Sequence, residues 1–167
     1  MASTNHPKIR PPRKTFDRII ELIAIVALLY GIVLVVQSWN TLPSEIPTHF
    51  DGKMNPDAKG PKGMILLLPA ISIVLVPMML LISRYPWLSN VPWKINEENA
   101  AQQYALIVRL LSLEACVVSL LFLTLLCDTI SIAGDGESLL GPWFLPVFMV
   151  GSIAPIIWYL IVGFRTR

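Results

Sequence analysis

Charge is what this sequence has least of. Only 14% of its 167 residues are Asp, Glu, Lys or Arg, where a soluble domain carries roughly 25%. The shortfall, together with 54% hydrophobic residues and several long uncharged runs, excludes an ordinary soluble domain and points to an integral membrane protein. The net charge of +2 is too small for a nucleic-acid partner. Cysteine is scarce as well. Cys116 and Cys127 fall on one expected helix, roughly 16 Å apart along its axis, too far for a disulfide between them; they read as small apolar fillers. The only histidines are His6 and His49. No His-Glu-x-x-His string exists, which excludes a zinc peptidase of that type. No Cys/His or Ser/His pairing of known spacing is visible, so neither an enzyme nor a cofactor is expected. There is no internal repeat.

What the chain does have is four apolar stretches. They predict an all-α integral membrane fold with helices over about 17–38, 64–82, 97–126 and 143–164, each long enough to cross a bilayer core of about 30 Å. Residues 1–15 read as a basic cytoplasmic tail, disordered or surface-bound, and 16–167 as one four-helix domain. A basic start followed by an apolar run also suits a signal peptide. Here the run leads into Gln37-Ser38-Trp39-Asn40 with no small-residue cleavage site, so the expectation is an uncleaved first helix. Glu21 sits near its start, where a carboxylate reaches water and favours the helix dipole. Pro69 and Pro77 predict kinks in the second helix. Asn96 reads as the N-cap of the third, with Glu97 and Glu98 in its first turn.

Orientation follows from Lys and Arg. Lys8, Arg10, Arg13, Lys14, Arg18, Arg84, Lys94, Arg165 and Arg167 share one side of a four-helix arrangement; Lys53, Lys59 and Lys62 lie on the other. Nine against three predicts cytoplasmic termini and places the 39–63 loop outside.

That loop, Trp39–Gly63, carries most of the polar chemistry: one histidine, three acidic residues, three lysines and four prolines. Pro43 and Pro47 favour extended backbone before them, Asp51-Gly52 is a hairpin-type dipeptide, and Pro56-Asp57 starts a second turn. A compact folded cap follows, with Leu42, Ile46, Phe50 and Met54 resting on the bundle mouth. His49, Asp51 and Asp57 offer imidazole and carboxylate groups of the kind that ligate zinc-like ions. With one histidine and no ligand pair at a defined helical spacing, His49 and Asp57 are weak metal candidates, and no metal is assigned. They serve equally to hold the loop together.

The string Leu42-Pro43, Ile46-Pro47, His49-Phe50, Pro56-Asp57, Gly60 and Lys62 resembles the domain-of-unknown-function membrane family found in SdpI-type bacterial immunity proteins. The likeness covers about Leu22 to Leu81. Met54 stands where the family often has glycine, and Lys59 where an aromatic is common. The resemblance implies a binding or interaction protein of the immunity, sensing or accessory-subunit class, in a bacterial inner membrane. Within the loop, His49, Phe50, Asp51, Asp57 and Lys62 are the candidate contacts for a ligand or a protein or peptide partner, and a homo-oligomer or membrane complex is a further expectation.

Two charges fall inside the third helix. Arg109 is close enough to its start to snorkel. Glu114 lies deeper, where a carboxylate is costly unless it is protonated or paired. Five positions separate them, about 140° around the helix, so their partners belong to other helices or subunits. Glu114 is either a packing hydrogen-bond donor or the centre of a small proton-coupled transporter, the alternative function.

Overall fold

The computed structural model describes residues 7–167; the first six residues of the expected 1–15 tail lie outside the described residues. The elements in chain order are α1 (Thr15–Ser38), β1 (Glu45–Phe50), β2 (Pro56–Pro61), α2 (Leu67–Ile82), α3 (Ala100–Ala133) and α4 (Phe144–Arg165). Short 3-10 turns at Lys62–Leu66 and Pro86–Leu88 flank α2. The four helices, the second counted from Lys62, are long and apolar enough to cross a membrane.

Helix α3 is the hub. It packs on α1, α2 and α4, and β1 rests on it as well. The α1–α3 contact is built on a stripe of Ala24, Ala27 and Gly31, all buried or nearly so. Small residues let two backbones approach closely, which suits helices that gain little from hydrophobic burial in lipid. The opposite face of α1 leaves Leu22, Val26, Leu29, Val33 and Val36 exposed. Helix α4 buries only 11% of its most apolar stretch against the protein. Surface of this kind has no stable place in water.

Three apolar clusters hold the ends and middle. Val35, Leu42, Ile46, Ile65 and Leu126 join the end of α1, the loop, β1 and α3. Ala24, Val76, Ala115 and Cys116 lock α1, α2 and α3. At the far end, Ile95, Ala100, Tyr104, Ile107 and Tyr159 tie α4 to α3. Trp93 presses onto Gly163, where a Cβ would lie 2.3 Å from the indole ring. Only glycine admits that contact.

Several expectations are corrected. Pro69 falls in the first turn of α2, where its missing N–H leaves few bonds unmade, and Pro77 alone lies inside that helix. Helix α3 starts at Ala100, not at 97, with Asn99 as its cap residue. Asn96 and Asn99 instead form a reciprocal turn ahead of it: Asn96 Oδ1 accepts the Asn99 N–H at 3.0 Å and Asn99 Oδ1 accepts the Asn96 N–H at 2.9 Å. The same helix runs two turns past 126, to Ala133. Asp128, expected in a loop, is fully buried. Its carboxylate accepts the Ser138 hydroxyl at 2.9 Å and the Leu139 and Leu140 N–H groups at 2.6 and 3.2 Å, fixing the α3–α4 connection.

Candidate functional site: the hairpin and the buried charge clasp

Strands β1 and β2 pair antiparallel, with Ile46 opposite Gly60 and Pro47 opposite Lys59. Gly60 packs closely here, since a Cβ would stand 3.0 Å from the Thr48 methyl, tighter than ordinary van der Waals contact. The ladder is irregular around His49, which faces Ala58; Thr48 and Asp57 drop out of register. This bulge sets the two functional candidates side by side. His49 Nδ1 and Asp57 Oδ1 are 2.5 Å apart, with the imidazole 69% and the carboxylate 47% exposed. The second imidazole nitrogen makes no hydrogen bond among the described residues.

Asp51 does a different job. Its own N–H donates to the Asn55 carbonyl and its carbonyl accepts from Met54, each at 2.9 Å, closing the turn. Its carboxylate accepts the Lys53 and Asn55 N–H groups at 2.8 and 2.9 Å, and the Asn55 amide at 3.2 Å. These bonds, those from Asn55 foremost, hold the Asp51 carboxyl below its ordinary pKa. The left-handed residue of the turn is Met54, at φ 66°, and no described glycine has positive φ. The expected Asp-Gly dipeptide turn is therefore a three-residue loop closed by a left-handed methionine. Met54 stays there because its side chain is 2% exposed.

Lys62 is drawn off as well. Its Nζ donates to the Trp39 carbonyl at 3.3 Å and sits 4.9 Å above the Trp39 ring, stitching the hairpin to the end of α1. Phe50 instead lines a cleft of about 150 Å³ between β1, α2 and α3, with Ile46, Thr48, Met64, Leu68 and Thr129. Of the five loop residues singled out from sequence, only His49 and Asp57 meet. Among the described residues no group of three or more His, Cys, Asp or Glu side chains is placed to hold a metal ion.

At the other end of the bundle the structure assembles a site that the sequence did not reveal. Asp17 and Glu21, one turn apart on α1, are 4% and 7% exposed. Arg109 donates from Nε to Asp17 Oδ1 at 2.9 Å. Arg13 forms an ion pair with Glu21 and donates to the Ser83 hydroxyl at 2.9 Å; Ser112 donates to Glu21 Oε1 at 2.8 Å. Glu21 is thus enclosed, not water-facing, and Arg109 is paired across helices. The tail residues entering the clasp are fixed too: Arg10 stacks over the Tyr85 ring at 4.8 Å. Burial, and after it the charge of Arg84, pushes the Arg13 guanidinium below its ordinary pKa. Glu114 lies apart. Helical period places it on the α3 stripe of Gln103 and Ile107, the stripe where Gln103 donates to the Gly163 carbonyl of α4 at 3.0 Å. Its Oε1 is buried with no hydrogen-bond partner among the described residues, so the donor role expected of it has no acceptor there.

Residues 22–73 match the family model of a domain of unknown function, DUF1648. The matched stretch contains most of α1, the whole hairpin and the start of α2. It omits every member of the clasp, Arg13, Asp17 and Glu21 before it and Ser83, Arg109 and Ser112 after it. No curated protein and no solved structure matches the chain.

Proposed function

We propose that this is a multi-pass protein of the bacterial cytoplasmic membrane that binds a protein or peptide partner through its hairpin, on the outer face. It acts in the manner of SdpI-type immunity or sensing proteins, or as an accessory subunit of a larger membrane complex, and not as an enzyme. The observation that carries this reading is the His49–Asp57 pair. It is left exposed on the same hairpin whose Thr48 and Phe50 line an apolar cleft. A partner with an apolar segment and a hydrogen-bonding group would be held by both at once. Asp51 and Lys62 build the platform and do not touch the partner. Nine positive residues against three support cytoplasmic termini.

The test is a photo-crosslinking residue at position 50 in native membranes. One defined protein or peptide adduct is expected, and it should fade in His49→Ala and Asp57→Ala. Lipid adducts alone, unchanged by either variant, would rule the reading out.

A second reading, proton-coupled transport, is favoured by the unpartnered Oε1 of Glu114, since an intramembrane carboxylate without a structural partner is a usual mark of a proton path. Proteoliposomes carrying wild type or Glu114→Gln separate the two. Proton flux that disappears in the variant supports transport; absence of flux in both removes it.

A further inference from the structure

Helices α1 and α4 both pack on α3, and near the chain termini they leave a cleft of about 200 Å³ on its surface. Lys14 and Asp17 line it from the α1 side, Gln102, Leu106 and Arg109 from α3, and Trp158 from α4. Arg109 spends Nε and Nη2 on Asp17, which cancels one charge of each sign. Its Nη1 makes no hydrogen bond among the described residues. The Lys14 ammonium forms no salt bridge among them either. The cleft therefore holds one net positive charge, two unspent cationic donors and an indole. Both helices carry exposed apolar side chains along their lengths, among them Leu22 and Ile25 on α1 and Ile157 on α4.

We propose that this cleft is a binding site for an anionic phospholipid, with the phosphate between Lys14 and Arg109 and the acyl chains against α1 and α4. Charge complementarity selects the anionic headgroup, and basic pockets between membrane helices on the cytoplasmic side take such lipids. Trp158 supplies the amphipathic ring that suits the headgroup level. The lipid would fill the gap between two helices that α3 alone holds together. The site lies at the opposite end of the bundle from the hairpin and does not depend on what the hairpin binds.

The test uses the full chain in dodecyl maltoside, titrated with phosphatidylglycerol or phosphatidylcholine, with native mass spectrometry to count retained lipid and thermal unfolding as second readout. One phosphatidylglycerol is expected to persist and to raise the unfolding midpoint, while phosphatidylcholine does neither. Lys14→Gln should weaken retention about fivefold, the effect of one basic residue near an anionic surface; Lys94→Gln, at the same end but outside the cleft, should leave it unchanged. Gln102→Glu, which adds an anion from an exposed position, must also weaken it, and guards against a stability effect of the first variant. Equal retention of the two lipids, or retention indifferent to both cleft variants, overturns the proposal. So does equal protection by glycerol 1-phosphate at the same phosphate concentration, which would make this a site for free anions.

Discussion

His49 and Asp57 are eight residues apart in sequence and share one hydrogen bond. Removing either should loosen the hairpin by a similar amount, and removing both should add little, because the second change has no contact left to break. Limited proteolysis between Ser44 and Lys62 reads this directly; additive effects would mean that the two side chains act separately. Asp51 makes a pH prediction. Its folded pKa is depressed, so the stability it lends the turn is present above the unfolded value near 3.9. That stability is lost as pH falls through the lower folded value; Asp51→Asn should flatten this acid dependence of protease sensitivity. At Met54 two effects oppose. Glycine would relieve a left-handed cost of about 1–2 kcal/mol but forfeit about 1.5–3 kcal/mol of burial. Met54→Gly should therefore loosen the hairpin slightly, measured by amide exchange. Gly52→Ala should be harmless, since nothing lies within 4 Å of its added Cβ. The sequence made His49, Asp51 and Asp57 visible as a group. It did not reveal the bulge at Thr48, because a register irregularity depends on how Gly60 and Thr48 pack across the ladder.

At the scale of elements, the clasp is a set of cross-helix bonds whose members are useless singly. Arg109→Ala leaves the Asp17 carboxylate buried without its counter-ion and should destabilise by about 3–5 kcal/mol. Arg109→Leu with Asp17→Leu should recover much of that, because two apolar groups need no pairing. Unfolding midpoints in detergent decide; a double variant as unstable as the sum of the singles would show that the ion pair is not what Arg109 contributes. Helix positions were legible because uninterrupted apolar runs admit few alternatives. Helix ends were not. Asp128, Thr129 and Ser131 look like loop residues in one dimension, and only the folded α3–α4 connection supplies the donors that let Asp128 sit inside. The clasp was invisible for a related reason: Asp17 and Arg109 are 92 positions apart, and no periodicity links them.

For the whole molecule, charge asymmetry was the legible quantity, and it makes a prediction of its own. Single cysteines at Asn55 and Asn90, in a chain lacking Cys116 and Cys127, should label from outside at 55 and not at 90. The reverse pattern would invert the proposed topology. The bundle as a whole depends on α3: α1, α2 and the hairpin gather on it, and α4 touches little else. That arrangement has a consequence for how the protein is made. Asp17 and Glu21 leave the ribosome with α1, but Arg109 and Ser112 follow about 90 residues later. At about 5–20 residues per second, the first helix spends on the order of 5–20 s with two carboxylates and only Arg13 and the Lys14 amide to offset them. During that interval the two carboxylates at the start of α1 rely on water and its basic tail, and the cross-helix partners that enclose them arrive only with α3. A chain released before α3 would keep Asp17 and Glu21 without Arg109 and Ser112, with a first helix whose start is never enclosed.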